Sequence, residues 1–339
     1  MRALVVTAPG VAEVTEVTPP DPGPGEVVID VERAGICGTD AELFSGEMAY
    51  LHQGFAHYPL RLGHEWCGRV SRLGDGVDPR WLGRRVTGDT MLGCGTCVRC
   101  RRGRHHVCER RYEIGIRGGW PGALAEQLPL PAVALHELDE SLTPAAGALV
   151  EPGGGALRAV QAARLHPGDS LLVLGAGTIG LLAALFGRAA GAEVTLADPR
   201  AASLRLASDL GVGRAVGLDE LPDEPAYDAV IDASTGVDSP ARALRLVEPA
   251  GHVVLIGLST EPSRIDSRDL VFGDVTVTGI LGASAGLAGT IEQYACGAVV
   301  PDALVSDVIG LGDVPAALSG HRRPNAGPGP KIQVDPRLP

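Results

Sequence analysis

The sequence predicts an α/β protein with a β-rich N-terminal region followed by a doubly wound parallel sheet, on three observations. Short β-like runs separated by turn residues fill the first 150 positions. From about Leu157 the texture changes to strands alternating with helices of roughly ten residues, the pattern of a parallel sheet covered on both faces. A glycine loop joins the first of those strands to its helix. A length of 339 residues suggests about two domains, at roughly 150 residues each.

The elements follow in order. Leu4–Thr7, Glu26–Glu32, Gly68–Leu73 and Arg85–Gly88 are strand candidates, and the Pro/Gly cluster 19–25 separates the first two. Ser170–Leu174 is a short apolar run, Thr178–Ala190 has helix length and composition, and Glu193–Ala197 is a second strand. Ala201–Leu210 is an amphipathic helix, followed by strand Ala229–Asp232, helix Ser239–Leu246 and strand His252–Ile256. The turn 325–330 leads to a last strand, Lys331–Val334. The uncharged stretch 170–187 approaches the length of a membrane span. Its glycines and its flanking Asp169 and Arg188 favour a buried strand, turn and helix instead.

Composition narrows the partners. Hydrophobic residues make up 45% and charged residues 21%, which supports a sizeable core. A net charge of −12 argues against nucleic acid or an anionic membrane as partner. Seven cysteines, four of them between positions 94 and 108, suit metal ligation in a reducing, cytoplasmic setting better than disulfides. No secretory leader is expected from the strand-like start. Lysine occurs once, at Lys331.

Gly175-Ala176-Gly177-Thr178-Ile179-Gly180 lies between strand and helix. The first glycine permits the tight turn and the second lets a pyrophosphate approach the backbone. The third lets helix and strand pack closely, while the helix N-terminus attracts phosphate. Asp198 ends the next strand, where a carboxylate binds the adenosine ribose hydroxyls of a dinucleotide. That carboxylate favours NAD, because it repels the 2′-phosphate of NADP. Arg200 stands near enough to accept such a phosphate, which keeps NADP open.

Two metal constellations are legible. Cys94, Cys97, Cys100 and Cys108 supply four thiolates in one loop, enough to close a tetrahedral zinc shell with no open position. Arg99, Arg101, Arg102, Arg104, Arg110 and Arg111 surround it and could favour thiolates. An iron–sulfur cluster, or a zinc ribbon that binds nucleic acid, is the alternative. The second constellation is dispersed: Cys37 in Gly35-Ile36-Cys37-Gly38-Thr39-Asp40, then His64-Glu65, then Glu151 before Pro152. A mixed Cys/His/carboxylate set is what a catalytic zinc uses when it keeps a position for substrate. Cys67 and Cys296 read as small buried hydrophobes, and His52, His57, His105 and His106 as loop or surface histidines.

These residues resemble the zinc-dependent medium-chain alcohol dehydrogenases, including the polyol, threonine and glucose dehydrogenases. The resemblance spans essentially the whole chain and rests on five motifs in order: Gly35–Asp40, Gly63-His64-Glu65, the four-cysteine lobe, Val150-Glu151-Pro152 and Gly175–Gly180. It implies a GroES-like β-rich catalytic domain at 1–155, carrying a structural zinc lobe at 90–112. An inserted Rossmann NAD-binding domain follows at 156–290, and 291–339 rejoins the catalytic domain. Substrate would lie between the domains.

By that resemblance Cys37, His64 and Glu151 ligate the catalytic zinc, with Glu151 where liver-type enzymes carry cysteine. Glu65 is a ligand in some states, or a carboxylate behind the ligands in others. Thr39 takes the substrate proton, and Ile256, Leu258 and Leu281 resemble nicotinamide-side contacts. Two departures stand out. Glu42 replaces a frequent histidine and is a candidate to carry the proton onward. Gly153-Gly154-Gly155 replaces a bulky apolar stretch, which predicts a looser or reshaped domain wall.

The expectation is a dehydrogenase with two zincs and NAD that oxidises a secondary alcohol, polyol or sugar, assembled as a homodimer or homotetramer. The alternatives are an NADPH-dependent carbonyl reductase and a catalytically silent zinc- and dinucleotide-binding protein. Phe44–Tyr58, Trp120 and Ala283–Gly289 are the expected substrate walls.

Overall fold

A computed structural model describes residues 1–339. The chain forms two compact units: Met1–Glu151 with Leu304–Pro339, and Pro152–Ala303. The second boundary falls after Ala303 rather than near position 290. The helix Leu287–Ala295 belongs with the second unit because its Tyr294 stacks on Phe186, with ring centroids 6.0 Å apart.

The first unit is built on a seven-stranded sheet. Val305–Ile309, Lys331–Val334, Glu26–Gly35, Glu65–Leu73, Arg85–Gly88 and Leu135–Glu137 follow one another across it, and Gln127–Pro131 also pairs with Glu26–Gly35. Lys331–Val334 is thus a neighbour of Glu26–Gly35, which brings the chain's end beside Ile36 and Cys37. Leu4, Ile29, Leu62, Trp66 and Leu128 lie fully buried in this unit's core.

The second unit is a Rossmann sheet of six parallel strands. Their order is Arg214–Val216, Glu193–Ala197, Ser170–Leu174, Tyr227–Asp232, Val247–Leu255 and Thr276–Gly279. Leu171, Leu172 and Val173 are fully buried, as a strand covered on both faces requires. The order reverses between the Ser170 and Tyr227 strands, where doubly wound sheets bind ligands. The stretch 170–187 is strand, turn and helix, and no helix is long and apolar enough to cross a membrane.

The glycine triplet corrects an expectation. Val150–Ala162 is one continuous helix, with Pro152 in its first turn, where a missing donor costs nothing. The glycines serve close packing within the second unit, not looseness. A Cβ on Gly154 would lie 2.9 Å from Ala283 Cβ and 3.0 Å from its carbonyl oxygen, and one on Gly153 would collide with Tyr294 Oη. A Cβ on Gly155 would meet only Ile256 Cδ1, at 3.6 Å. Alanine normally gains ~1 kcal/mol over glycine inside a helix. Here Gly154→Ala should instead lose ~1–3 kcal/mol through overpacking, with Gly155→Ala neutral or stabilising. Urea unfolding of the two variants checks this, and a stabilised Gly154→Ala would refute the packing argument.

Candidate functional site

Cys37 follows the strand Glu26–Gly35 and opens the helix Gly38–Ser45. Asp40, in the first turn of that helix, is fully buried. Its Oδ2 accepts the Cys37 N–H at 2.9 Å, and its Oδ1 accepts the Gly63 N–H at 3.1 Å and lies 3.5 Å from His64 Nδ1. One carboxylate therefore fixes the loops of Cys37 and Gly63 by hydrogen bonds and lies against the His64 ring without hydrogen-bonding to it, in the place of a carboxylate behind a metal-ligating histidine. Glu65 begins the next strand directly opposite Gly35, where a side chain would collide with its carboxylate.

Ligand atoms of Cys37, His64 and Glu65 all lie within 4.8 Å of one another. His64 is 5% exposed and Glu65 1%. Glu65 Oε1 accepts a hydrogen bond from Lys331 Nζ at 2.7 Å, while its buried Oε2 has no hydrogen-bond partner. A buried thiol, imidazole and half-unpaired carboxylate facing one another suit a divalent cation, and zinc accepts all three donor types. Glu151 is not in this group of three, yet burial pushes its carboxyl up to about 7 against the opposing pull of His64. Thr39 is half-buried in the helix that Cys37 opens. Glu42, one turn on, is exposed, and its pKa is raised by partial burial and by Glu47.

The four-cysteine loop closes on itself. Cys94 and Cys100 sulfurs are 4.0 Å apart, and those of Cys97 and Cys108 3.8 Å, with all four within 4.8 Å. Zinc–sulfur bonds of about 2.3 Å in a tetrahedron place sulfurs about 3.8 Å apart, so the set fits one zinc ion. Of the arginines only Arg110 reaches a sulfur, Cys94 Sγ at 3.4 Å. Arg99 pairs with Glu109, Arg101 with the Thr96 carbonyl and Arg111 with Glu113.

The glycine loop and Asp198 line a cavity of about 730 Å³ with Arg200, Ser234 and Arg242. Gly175 has φ 98°, and Gly180 packs against its carbonyl so closely that no side chain fits, as the tight turn and close helix contact require. Asp198 Oδ2 accepts the Ala176 N–H at 2.8 Å, and its Oδ1 accepts Arg200 N–H and Nε–H at 2.8 and 3.0 Å. Burial raises the Asp198 pKa, but these bonds outweigh it and hold the carboxylate ionised. Thr178 and Ile179 open the helix Thr178–Ala189. Ile256, Leu258 and Leu281 lie just past the ends of the fifth and sixth strands, outside this cavity, with Leu258 82% exposed.

Several roles escaped sequence reasoning. Asp40 has a role that its motif does not assign, and an acid three residues after the cap of a short helix is the signal for it. Lys331 signalled itself as the single lysine. Cys296 is exposed at the end of its helix rather than buried, whereas Cys67 is buried. His105 is not an idle surface residue: its Nε2 lies 2.6 Å from Asp89 Oδ2. Within the expected substrate walls, Arg117 sits 3.9 Å over the Phe55 ring and 5.4 Å from that of Tyr50, and Trp120 packs edge-on against Tyr112.

A coenzyme fold and a buried mixed-donor metal set together define a metal-dependent oxidoreductase. The comparisons agree. Residues 23–140 match the alcohol dehydrogenase GroES-like domain, and residues 178–296 match the zinc-binding dehydrogenase domain. L-threonine 3-dehydrogenase of Saccharopolyspora erythraea is 35% identical over 83% of this chain and 84% of its own; that of Pyrococcus horikoshii is 34% identical over 83% of each. Among solved structures, a zinc-binding dehydrogenase of Sinorhizobium meliloti bound to NADP is 31% identical, with TM-score 0.89 over 99% of both chains. Alcohol dehydrogenase TADH of Thermus sp. ATN1 is 29% identical, with TM-score 0.88 over the same shares. The chain belongs to the zinc-dependent medium-chain alcohol dehydrogenase family, and its reaction is zinc-dependent alcohol oxidation with a nicotinamide dinucleotide.

Proposed function

We propose that this chain is a two-zinc, NAD-preferring dehydrogenase of a small polar secondary alcohol, a polyol, sugar or hydroxy acid. The buried cluster of Cys37, His64 and Glu65, with Thr39 on the adjoining helix, carries this reading. Zinc held by Cys37 and His64, with Glu65 or Glu151 completing the set, would supply Lewis acidity that lowers the pKa of the alcohol. Thr39 Oγ1 would accept the hydroxyl proton as its own hydroxyl proton passes on toward solvent, while the Asp40 carboxylate lies 3.5 Å from the His64 ring. A nicotinamide coenzyme held beside Gly175, Gly177 and Asp198 would supply the hydride acceptor. The second zinc belongs to Cys94, Cys97, Cys100 and Cys108, where a closed shell contributes to folding rather than to turnover.

NAD is favoured because the ionised Asp198 carboxylate lines the cavity beside Gly175 and Gly177. A 2′-phosphate brought there meets that charge, although Arg200 partly offsets it. Removing a charge-assisted hydrogen bond costs ~1.5–3 kcal/mol. Asp198→Ala should therefore weaken NAD binding by about 10–100-fold while leaving NADP binding little changed or improved. Fluorescence titration of both coenzymes measures this, and wild-type protein that binds the two equally would sink the NAD preference.

NAD reduction should be screened against L-threonine, 2,3-butanediols, polyols and sugars, with NADP in parallel and metal content measured on the same preparation. Turnover of one such alcohol with two zincs per chain is expected. Activity confined to NADPH and carbonyl compounds would favour the reductase alternative. A homodimer or homotetramer is supported by the open edge strand Thr276–Gly279, beside which Val271 and Phe272 are 77% and 86% exposed. Sedimentation of the purified chain tests that.

A further inference from the structure

The four-cysteine lobe is joined to His64 by a short run of side-chain and backbone contacts, all within the first unit. His105 opens the turn His105–Val107 that leads into Cys108, and its carbonyl accepts the Cys108 N–H at 2.9 Å. Its Nε2 reaches Asp89 Oδ2 at 2.6 Å. Asp89 is only 6% exposed; its Oδ1 accepts the Met91 N–H at 2.9 Å, and its own N–H donates to the Ala134 carbonyl at 2.9 Å. The next residue, Thr90, is 3% exposed and donates its Oγ1–H to the His64 carbonyl at 3.1 Å. The Thr90 carbonyl accepts the Ile114 N–H at 3.0 Å, which clamps the peptide from its other side. Three residues on, Gly93 lies so close beneath the lobe that a Cβ there would be 2.7 Å from His105 Cβ and 2.8 Å from Cys100 Sγ.

Nothing in the dehydrogenase reaction requires these contacts, since neither His105 nor Thr90 touches a reacting group. Their geometry has a mechanical consequence. His64 is restrained electrostatically at its ring by the Asp40 carboxylate 3.5 Å away and by a hydrogen bond at its carbonyl from Thr90. Thr90 directly follows Asp89, whose carboxylate caps the Met91 N–H and meets His105, and His105 opens the turn that leads into Cys108. A loose lobe therefore frees His105, and with it one of the two restraints on His64.

We propose that His105 and Thr90 are positioning residues through which the four-cysteine lobe tunes how firmly His64 holds its metal. The proposal rests on the two-zinc reading. It assigns the lobe a task beyond local folding: an emptied lobe weakens the distant metal site in the same chain. Partners behind a metal ligand typically change metal affinity by about 10–100-fold. His105 acts through two intermediaries, so an effect near the lower end, about tenfold, is expected.

The test follows metal release from the purified holoprotein to a chromogenic chelator, alongside turnover. Cys37→Ser identifies which release phase belongs to the His64 site. His105→Leu should speed that phase about tenfold and leave the four-cysteine phase at the wild-type rate. His105→Gln, whose amide can still donate to Asp89, should restore most of the wild-type behaviour. Thr90→Val keeps the shape, removes the hydroxyl donor and should reproduce the fast phase. With cobalt in the His64 site, His105→Leu and Thr90→Val should also shift the visible absorption bands, which loss of bulk stability alone does not do. An unchanged release phase and spectrum in His105→Leu, with two metals in the wild type, would overturn the positioning role and leave the two-zinc reading standing. Release of both metals together would make His105 a folding residue and also overturn it. A wild-type content of one metal would overturn the two-zinc reading itself, and the positioning role with it.

Discussion

Replacing Thr39 by valine is expected to lower turnover by about 10²–10⁴-fold, the usual contribution of a general acid–base group, while metal content stays unchanged. The reaction requires the alcohol proton to leave a buried site lined by His64 and Glu65, and a hydroxyl is the simplest first acceptor. Thr39 lies two residues after Cys37 on a helix whose first turn Asp40 ties to both Cys37 and Gly63, so its position is set by the same bonds that set the metal ligands. Valine matches threonine in shape but cannot accept or pass a proton, whereas Thr39→Ser keeps the hydroxyl and should be mild. Residues 39 and 42 share a helix face at i,i+3 spacing, which makes exposed Glu42 the next group toward solvent. Partial burial and the neighbouring Glu47 raise its pKa, so it can hold a proton at a higher pH than an ordinary glutamate. Glu42→Gln should therefore slow turnover above the Glu42 pKa, where the wild-type carboxylate can accept the proton, and match the wild type at lower pH, where that carboxyl is already protonated. A pH–rate profile for Glu42→Gln that overlays the wild type would return Glu42 to a surface role and leave Thr39 to release its proton by another route.

The parts of this molecule legible in sequence are those set by local chemistry. Ser170–Leu174, Glu193–Ala197 and Lys331–Val334 have the expected bounds because these runs end at Gly175, Asp198 and Asp335. The four-cysteine lobe could be read because its ligands share one loop, and the glycine loop because each glycine has a separate steric task. What escaped was long-range. Thr276–Gly279 is four residues long and largely exposed, so neither length nor hydrophobicity marks it as the sixth strand. Three glycines inside Val150–Ala162 lower helix propensity, and only the packing of Ala283 and Tyr294 against them explains the helix. Lys331 and Glu65 are 266 positions apart, and no local pattern joins them; the sheet order does, by placing the last strand next to Glu26–Gly35.

That pairing gives the second large expected effect. Lys331 Nζ donates to Glu65 Oε1 at 2.7 Å and to the Ile36 carbonyl at 3.0 Å, with side-chain exposures of 5% and 2% for the two charged residues. Removing one partner of a buried ion pair costs about 3–5 kcal/mol, because the other charge is left without compensation. Lys331→Met should therefore destabilise the metal-free protein by about that much, with the loss seen as a lower urea midpoint at unchanged m-value. Glu65→Gln alone leaves an ammonium stranded and should also be costly, whereas Lys331→Met with Glu65→Gln removes both charges and should recover a substantial part of the loss. Metal loading adds a discriminating arm. If Glu65 turns its unpaired Oε2 to the ion, the ion compensates the carboxylate that Lys331→Met strands, and the deficit should shrink in the loaded protein. If Glu65 stays behind the ligands, the deficit should be the same with and without metal. Strictly additive losses in the double variant would show that the two residues stabilise the fold independently, and the pair would then have no part in holding Glu65 beside Cys37 and His64.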